Sequence, residues 1–191
     1  MTSTQITEVP VQNVTTLETE NGPVGYMTFN NHIATSEALL VASIEQFRDA
    51  NISDLILDLR YNGGGFLDIA SELAYMIAGA DAATGKVFEN LQFNDKHPDF
   101  NPVTGERLED RPFKTTTQGF SLSSGTPLPS INLSRVFVLT GPRTCSASES
   151  LMNGLLGIDI EVIQIGNTTC GKPYGFYPSD NCGTTYFSIQ F

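Results

Sequence analysis

The stretch from Asp54 to Gly79, "DLILDLRYNGGGFLDIASELAYMIAG", decides the fold class. It opens with a short apolar run, Asp54–Arg60, of the kind found in buried parallel strands. "YNGGG" (Tyr61–Gly65) interrupts the run. Helical periodicity then takes over, with Leu67, Ala70, Leu73, Ala74 and Ile77 on one stripe. Strand, glycine turn and helix make a βα unit, and parallel crossovers of this kind are right-handed in nearly all proteins.

The same alternation extends both ways. Upstream, "VGYMTF" (Val24–Phe29) reads as a strand, and "TSEALLVASIEQFRDAN" places Leu40, Val41, Ile44 and Phe47 at helical spacing behind a Thr35 or Ser36 cap. Downstream come a buried-type strand "RVFVLTG" (Arg135–Gly141), a short helix through Leu156, a strand "EVIQIG" (Glu161–Gly166) and a terminal strand "TTYFSIQF". Residues 1–22 are polar and Thr-rich and read as an extended lead-in to a single core domain over residues 23–191. The segment Asp81–Leu133 holds one expected strand, "KVFENLQF", and is otherwise rich in Pro, Thr and Ser. A loop of that length inside a compact domain is usually functional or mobile. The expected class is α/β with mainly parallel strands. The sequence breaks off inside an apolar strand, so the natural protein is expected to continue beyond it.

The 191 residues carry a net charge of −11, which argues against a nucleic-acid partner, because phosphate binding needs clustered Lys and Arg. No run is apolar enough to span a bilayer. The three cysteines, Cys145, Cys170 and Cys182, match no zinc spacing, and His32 and His97 stand apart from them, so no metal or other cofactor is expected. Cys170 and Cys182 flank a Pro- and Gly-rich loop and are a candidate bridge; two free thiols are the other reading.

Three places carry candidate chemistry. "RTCSASESLMNG" (Arg143–Gly154) sets Ser146 before a helix with Glu149 three residues on, the capping-box pattern. Read alone, Ser146 is a cap worth ~1 kcal/mol. Yet it sits between a buried strand and a helix, where α/β sheets place ligands and where free N–H groups suit an oxyanion. The G-x-S-x-G elbow is absent, and neither histidine is well placed as a base. Among the lysines (Lys86, Lys96, Lys114 and Lys172), Lys172 differs. It follows a buried-type strand and has glycines and aromatics around it, which suits a desolvated amine. "NGGG" leaves a bare backbone that could bind phosphate or donate amides to an oxyanion. It fits neither G-x-G-x-x-G spacing nor a Walker motif.

Taken in order, "LILDLRYNGGG", "VFVLTGPRTCSASES" and "IQIGNTTCGKPYGF" resemble the carboxyl-terminal processing, or tail-specific, serine peptidases, over most of the chain from Val24. The resemblance implies a Clp-protease/crotonase-like α/β core and a Ser/Lys dyad. Ser146 would be the nucleophile and Lys172 the base, with the N–H groups of Gly65 and Ala147 as oxyanion donors. It also implies a polypeptide substrate, unstructured or C-terminal, and hydrolysis through an acyl-enzyme. An extracytoplasmic site, periplasmic, cell-envelope or secreted, is expected, with the leader outside this sequence. Two departures stand out. Many members carry a glutamine four residues after the lysine, where this chain has Phe176, and no PDZ domain is evident. The rival readings are a non-catalytic binder of hydrophobic ligands on the same superfold and a crotonase-like acyl-CoA enzyme.

Overall fold

In the computed structural model, which describes residue 4 and residues 6–191, the alternation read from the sequence becomes one mixed sheet with helices packed on it. In chain order the elements are β1 (Val11–Thr19), β2 (Gly22–Phe29), α1 (Ser36–Asp49), β3 (Asp54–Asp58), α2 (Leu67–Ala78), α3 (Ala80–Ala83), β4 (Val87–Glu89) and β5 (Arg111–Pro112). They continue with β6 (Arg135–Thr140), α4 (Ala147–Leu156), β7 (Glu161–Gly166), β8 (Ser179–Asn181) and β9 (Thr184–Tyr186).

The central sheet runs β1-β2-β3-β6-β7. Every pair from β2 to β7 is parallel, and only β1 is antiparallel to its neighbour. Residues 1–3 and 5 of the expected lead-in lie outside the described residues. The rest of the lead-in is not separate from the core, since Val11–Thr19 adds the edge strand and buries Val11. A two-residue turn at Glu20 and Asn21 lets that strand fold straight back, which needs no crossover.

One face of the sheet makes the core. Met27 and Phe29 of β2, Leu55 and Leu57 of β3, and Val136 and Val138 of β6 are buried with Leu40, Ile44 and Phe47 of α1, Leu73 and Ile77 of α2, and Leu151 and Leu155 of α4. The register row Tyr26, Ile56, Phe137 and Ile163 lies on the other face and is only half-buried. These strands are therefore packed on one side by this chain, which is why β6 alternates in burial. Two ion pairs stud the strand ends: Arg135 with Asp54 and Arg60 with Asp58.

The apolar sequence of α2 is explained by its position. It is enclosed by the sheet and by the long segment after β5, whose Ile131 and Leu133 N–H groups donate to the carbonyls of Met76 and Ile77 (both 2.9 Å). Two of the expected strands are shorter than read. "KVFENLQF" contributes only β4, which pairs with β5. "TTYFSIQF" contributes β9, which forms a hairpin with β8, after which the chain folds back against Gly175.

The irregular segment is tied down by two buried carboxyl groups. Glu37 on α1 accepts four backbone N–H donors, from Gln118 (2.8 Å), Gly119 (3.0 Å), Ser121 (2.7 Å) and Leu122 (2.7 Å). Glu72 on α2 accepts a second bond from the Gln118 N–H (2.9 Å) and lies beside Glu37. Burial and the neighbouring Glu37 charge push the Glu72 carboxyl up to about 8, so at neutral pH it carries a proton. The loop so anchored lays Phe120 on Phe66, with ring centroids 4.7 Å apart, next to the glycine turn.

A pH dependence follows. Glu72 binds its proton more tightly folded than unfolded, so its contribution is fully present below the ordinary carboxylate range and is lost as pH rises toward about 8. Chemical denaturation of wild type should show stability falling across this window. Glu72→Gln, which keeps the shape and a donor toward Glu37, should flatten that slope; an unchanged slope would refute the assignment.

Candidate active site

Parallel pairing brings three loops to one edge of the sheet: the turns after β3, β6 and β7. The first holds Asn62, Gly64 and Gly65, the second Cys145 and Ser146, and the third Cys170 and Lys172.

Asn62 is fully buried and joins the first loop to the second. Its Oδ1 accepts the Gly64 N–H (2.9 Å) and faces His32 Nδ1 (2.9 Å), while its Nδ2 donates to the Phe29 carbonyl (2.9 Å). Its own carbonyl accepts the Cys145 N–H (3.1 Å) and the Ser148 hydroxyl (3.2 Å). Ser148, one of the three clustered serines, is thus a buried structural donor.

The glycines are required by space as well as by conformation. A Cβ on Gly64 (φ 96°) would stand 2.8 Å from Ser146 Cβ and 2.9 Å from the Ala147 nitrogen. One on Gly65 (φ 137°) would run into the His32 carbonyl. The loop backbone therefore lies directly against the start of α4. Among the described residues no acceptor takes the N–H of Gly65 or of Ala147. Ala147 is the first residue of its helix, where an N–H has no intrahelical partner.

Ser146 occupies the turn itself, with φ 57° and ψ −117°. A residue with a Cβ held there costs on the order of 1–3 kcal/mol. This is a sharp strand-to-helix elbow formed without the G-x-S-x-G sequence. It is fixed from below by Thr144, whose hydroxyl donates to the Leu59 carbonyl (2.7 Å) and accepts the Gly141 N–H (3.0 Å). The expected capping partner is present: the Glu149 carboxylate accepts the Ser146 N–H (2.8 Å).

Glu149 does more than cap. It also accepts the Thr169 hydroxyl (2.7 Å) and the N–H groups of Gly171 (2.7 Å) and Lys172 (3.0 Å). One carboxylate thus holds the backbone of Ser146 and of Lys172 together. Burial alone would raise its affinity for a proton, but these four donors outweigh burial and hold it below the ordinary carboxylate range. Sequence spacing revealed its capping position and gave no sign of this second reach.

The cysteines correct the expected pairing. Cys145 bonds to Cys170, with Cα atoms 5.2 Å apart, and Cys182 is a free, exposed thiol beyond β8. The reason is topological. Thr140 and Gly166 are register partners at the ends of neighbouring strands, so turns of similar length bring Cys145 and Cys170 face to face. The disulfide joins the residue before Ser146 to the residue two before Lys172. The two sulfurs and the Glu149 carboxylate lie within 4.8 Å of one another. The sulfurs are bonded to each other, however, and the carboxylate is filled by N–H and O–H donors.

The Lys172 side chain is half-buried, with Nζ 4.9 Å from the centroid of the Phe176 ring. Among the described residues Nζ takes part in no hydrogen bond with Ser146 Oγ and in no ion pair. Lys86 and Lys96 are exposed, and Lys114 pairs with Asp68 (3.3 Å). His97 is exposed in a turn. His32 is fully buried, and burial lowers its pKa to about 4, so it is a neutral prop of the glycine loop. Its Nε2 has no partner among the described residues, Ser146 included.

The profile of peptidase family S41 matches residues 23–175. No curated protein matches the chain. Among solved structures, a protein described as an S41 protease from Bacteroides fragilis superposes with a TM-score of 0.79 at 24% identity, over 98% of this chain and 47% of that one. The photosystem II D1 C-terminal processing protease gives 0.61 at 19% identity, over 97% and 44%. CPAF complexed with lactacystin gives 0.52 at 14% identity, over 93% and 44%. The chain thus spans a little under half the length of these relatives. They share its fold, a mostly parallel sheet flanked by helices.

Closing a loop of 25 residues, the disulfide should contribute about 3 kcal/mol through the unfolded chain. Cys145→Ser/Cys170→Ser should lower the denaturation midpoint accordingly, with Cys182→Ser as the neutral control. Equal midpoints for the double variant and wild type would show that the bridge does not stabilise the protein.

Proposed function

This chain belongs to peptidase family S41, and on that premise we propose that it is the catalytic core of a serine endopeptidase acting through an acyl-enzyme. Ser146 is the nucleophile, Lys172 the general base, and the Gly65 and Ala147 N–H groups the oxyanion donors. The observation that carries the reading is the meeting of a strained serine with two unpaired backbone N–H groups, at a point where Gly64 allows main chain to touch main chain.

The chemistry follows from that arrangement. Ser146 stands at the elbow before its helix, and the Lys172 amine removes its proton as Oγ adds to a peptide carbonyl. The carbonyl oxygen gains negative charge between the Gly65 and Ala147 N–H groups, which are fixed in place before the charge develops. One such donor is worth roughly 3 kcal/mol of barrier. As the adduct collapses, the C–N bond breaks, the lysine gives its proton to the departing amine and an ester remains on Ser146. The Lys172 amine then deprotonates a water that adds to the ester, and it returns that proton to Oγ as the ester C–O bond breaks. Glu149 and the disulfide keep the nucleophile turn and the base turn from drifting apart, which matters because small misplacements of reacting groups are costly in rate.

The substrate is a polypeptide in an unstructured or C-terminal segment, a reading supported by the likeness to a C-terminal processing protease. The location is extracytoplasmic, periplasmic or secreted, a reading supported by the disulfide beside the nucleophile, since such bonds persist where the surroundings are oxidising.

Wild type should cleave reduced casein and react with a serine-directed phosphonate probe. Ser146→Ala should lose labelling, and Ser146→Ala and Lys172→Ala should each lose roughly a thousandfold or more in turnover. No labelling and no cleavage by wild type would sink the peptidase reading. Retention of turnover in Lys172→Ala would sink the dyad alone.

A further inference from the structure

A lysine base needs something to hold it, because the amine ends a flexible four-carbon stem that carries much rotational freedom. In this site no carboxylate, amide or carbonyl among the described residues bonds Lys172 Nζ. What faces it is an aromatic ring. We propose that Phe176 is the positioning residue for the Lys172 amine, holding it against the face of its ring where a polar partner would otherwise stand. The proposal rests on Lys172 being the base.

The ring is itself built into place. Residues 170–178 form no helix or strand, so the contact between positions 172 and 176 is not a by-product of helical spacing. Phe187 stands edge-on to Phe176, with centroids 5.4 Å apart and planes at 71°. On the N-terminal side, the Gly175 N–H donates to the Phe191 carbonyl (2.6 Å) and the Gly175 carbonyl accepts the Gln190 N–H (3.0 Å). On the C-terminal side, the Tyr177 N–H donates to Gln190 Oε1 (2.7 Å). The backbone that bears the ring is thus pinned on both sides by the last residues of the chain. The backbone that bears the lysine is pinned by Glu149 and the disulfide.

A ring face attracts an ammonium placed within about 6 Å of its centroid. It narrows the positions open to the amine. Glu149 is the charged group bonded to this turn, and its four donors fix it in place. Phe176 therefore acts on the base through where the amine sits.

The experiment measures phosphonate labelling of Ser146 and casein turnover for wild type, Phe176→Leu, Phe176→Trp and Phe176→Gln. Phe176→Leu keeps an apolar side chain but has no ring face, so its turnover should fall roughly tenfold or more as the amine loses its place. Phe176→Trp should retain turnover through a ring face of its own. Phe176→Gln should recover turnover through a polar partner. An activity-independent readout is the NMR shift of the Lys172 ε-methylene protons, which ring current should move upfield in wild type and release in Phe176→Leu. If Lys172→Ala is inactive but Phe176→Leu turns over as fast as wild type, Phe176 only fills space and the proposal fails while the dyad stands. If Lys172→Ala remains active, the dyad fails. A normal ε-methylene shift in wild type overturns the contact itself.

Discussion

The site depends on the buried side chain and carbonyl of Asn62. An amide can donate and accept at once, and here five groups from three pieces of chain are bound: the Phe29 carbonyl and the His32 ring, the Gly64 N–H, and the Cys145 N–H and Ser148 hydroxyl. Leaving any of these groups unpaired in the interior costs about 1–3 kcal/mol. The glycine turn is therefore held in a path that leaves the Gly65 N–H without an internal partner, and the elbow is held against it. The neutral state of His32 belongs to the same device, because a charged imidazole in that position would have no counter-charge.

Around this fixed pair the turn that bears Lys172 is attached by two unlike links. Glu149 reads backbone N–H groups and so fixes the direction in which the turn leaves the helix start. The disulfide fixes distance only. One link is electrostatic and weakens when the carboxylate is protonated; the other is covalent and is insensitive to acid. Strain at Ser146 is tolerated because the strands below, Thr144 and Glu149 leave the residue no relaxed alternative.

Much of this was legible in the sequence because period and punctuation are local properties. "DLILDLRYNGGG" shows strand and turn within a dozen residues, and the three motifs in order implied the fold and the loops that meet. Glu149 was legible only as a cap, since its second set of partners comes from beyond β7. The Cys170–Cys182 pairing followed from closeness along the chain, whereas the observed bond joins turns at the ends of adjacent parallel strands, a matter of register. The role of Asn62 was not legible at all. An asparagine before glycines reads as a turn residue, and nothing local distinguishes one that turns from one that also binds five separate groups.

Glu37 holds the segment Gln118–Leu122 entirely through main-chain N–H groups. Most residues would supply the same donor, but the path still needs Gly119, whose φ of 92° disfavours a side chain, and the Ser121 hydroxyl, which accepts the Ala38 N–H (3.0 Å). Phe120, which that path lays against Phe66 beside the glycine turn, is not among the donors to Glu37, so its side chain can change while the anchor stays. The fold thereby separates an anchor that rests on one glutamate from the aromatic surface that the anchored loop presents beside the glycine turn.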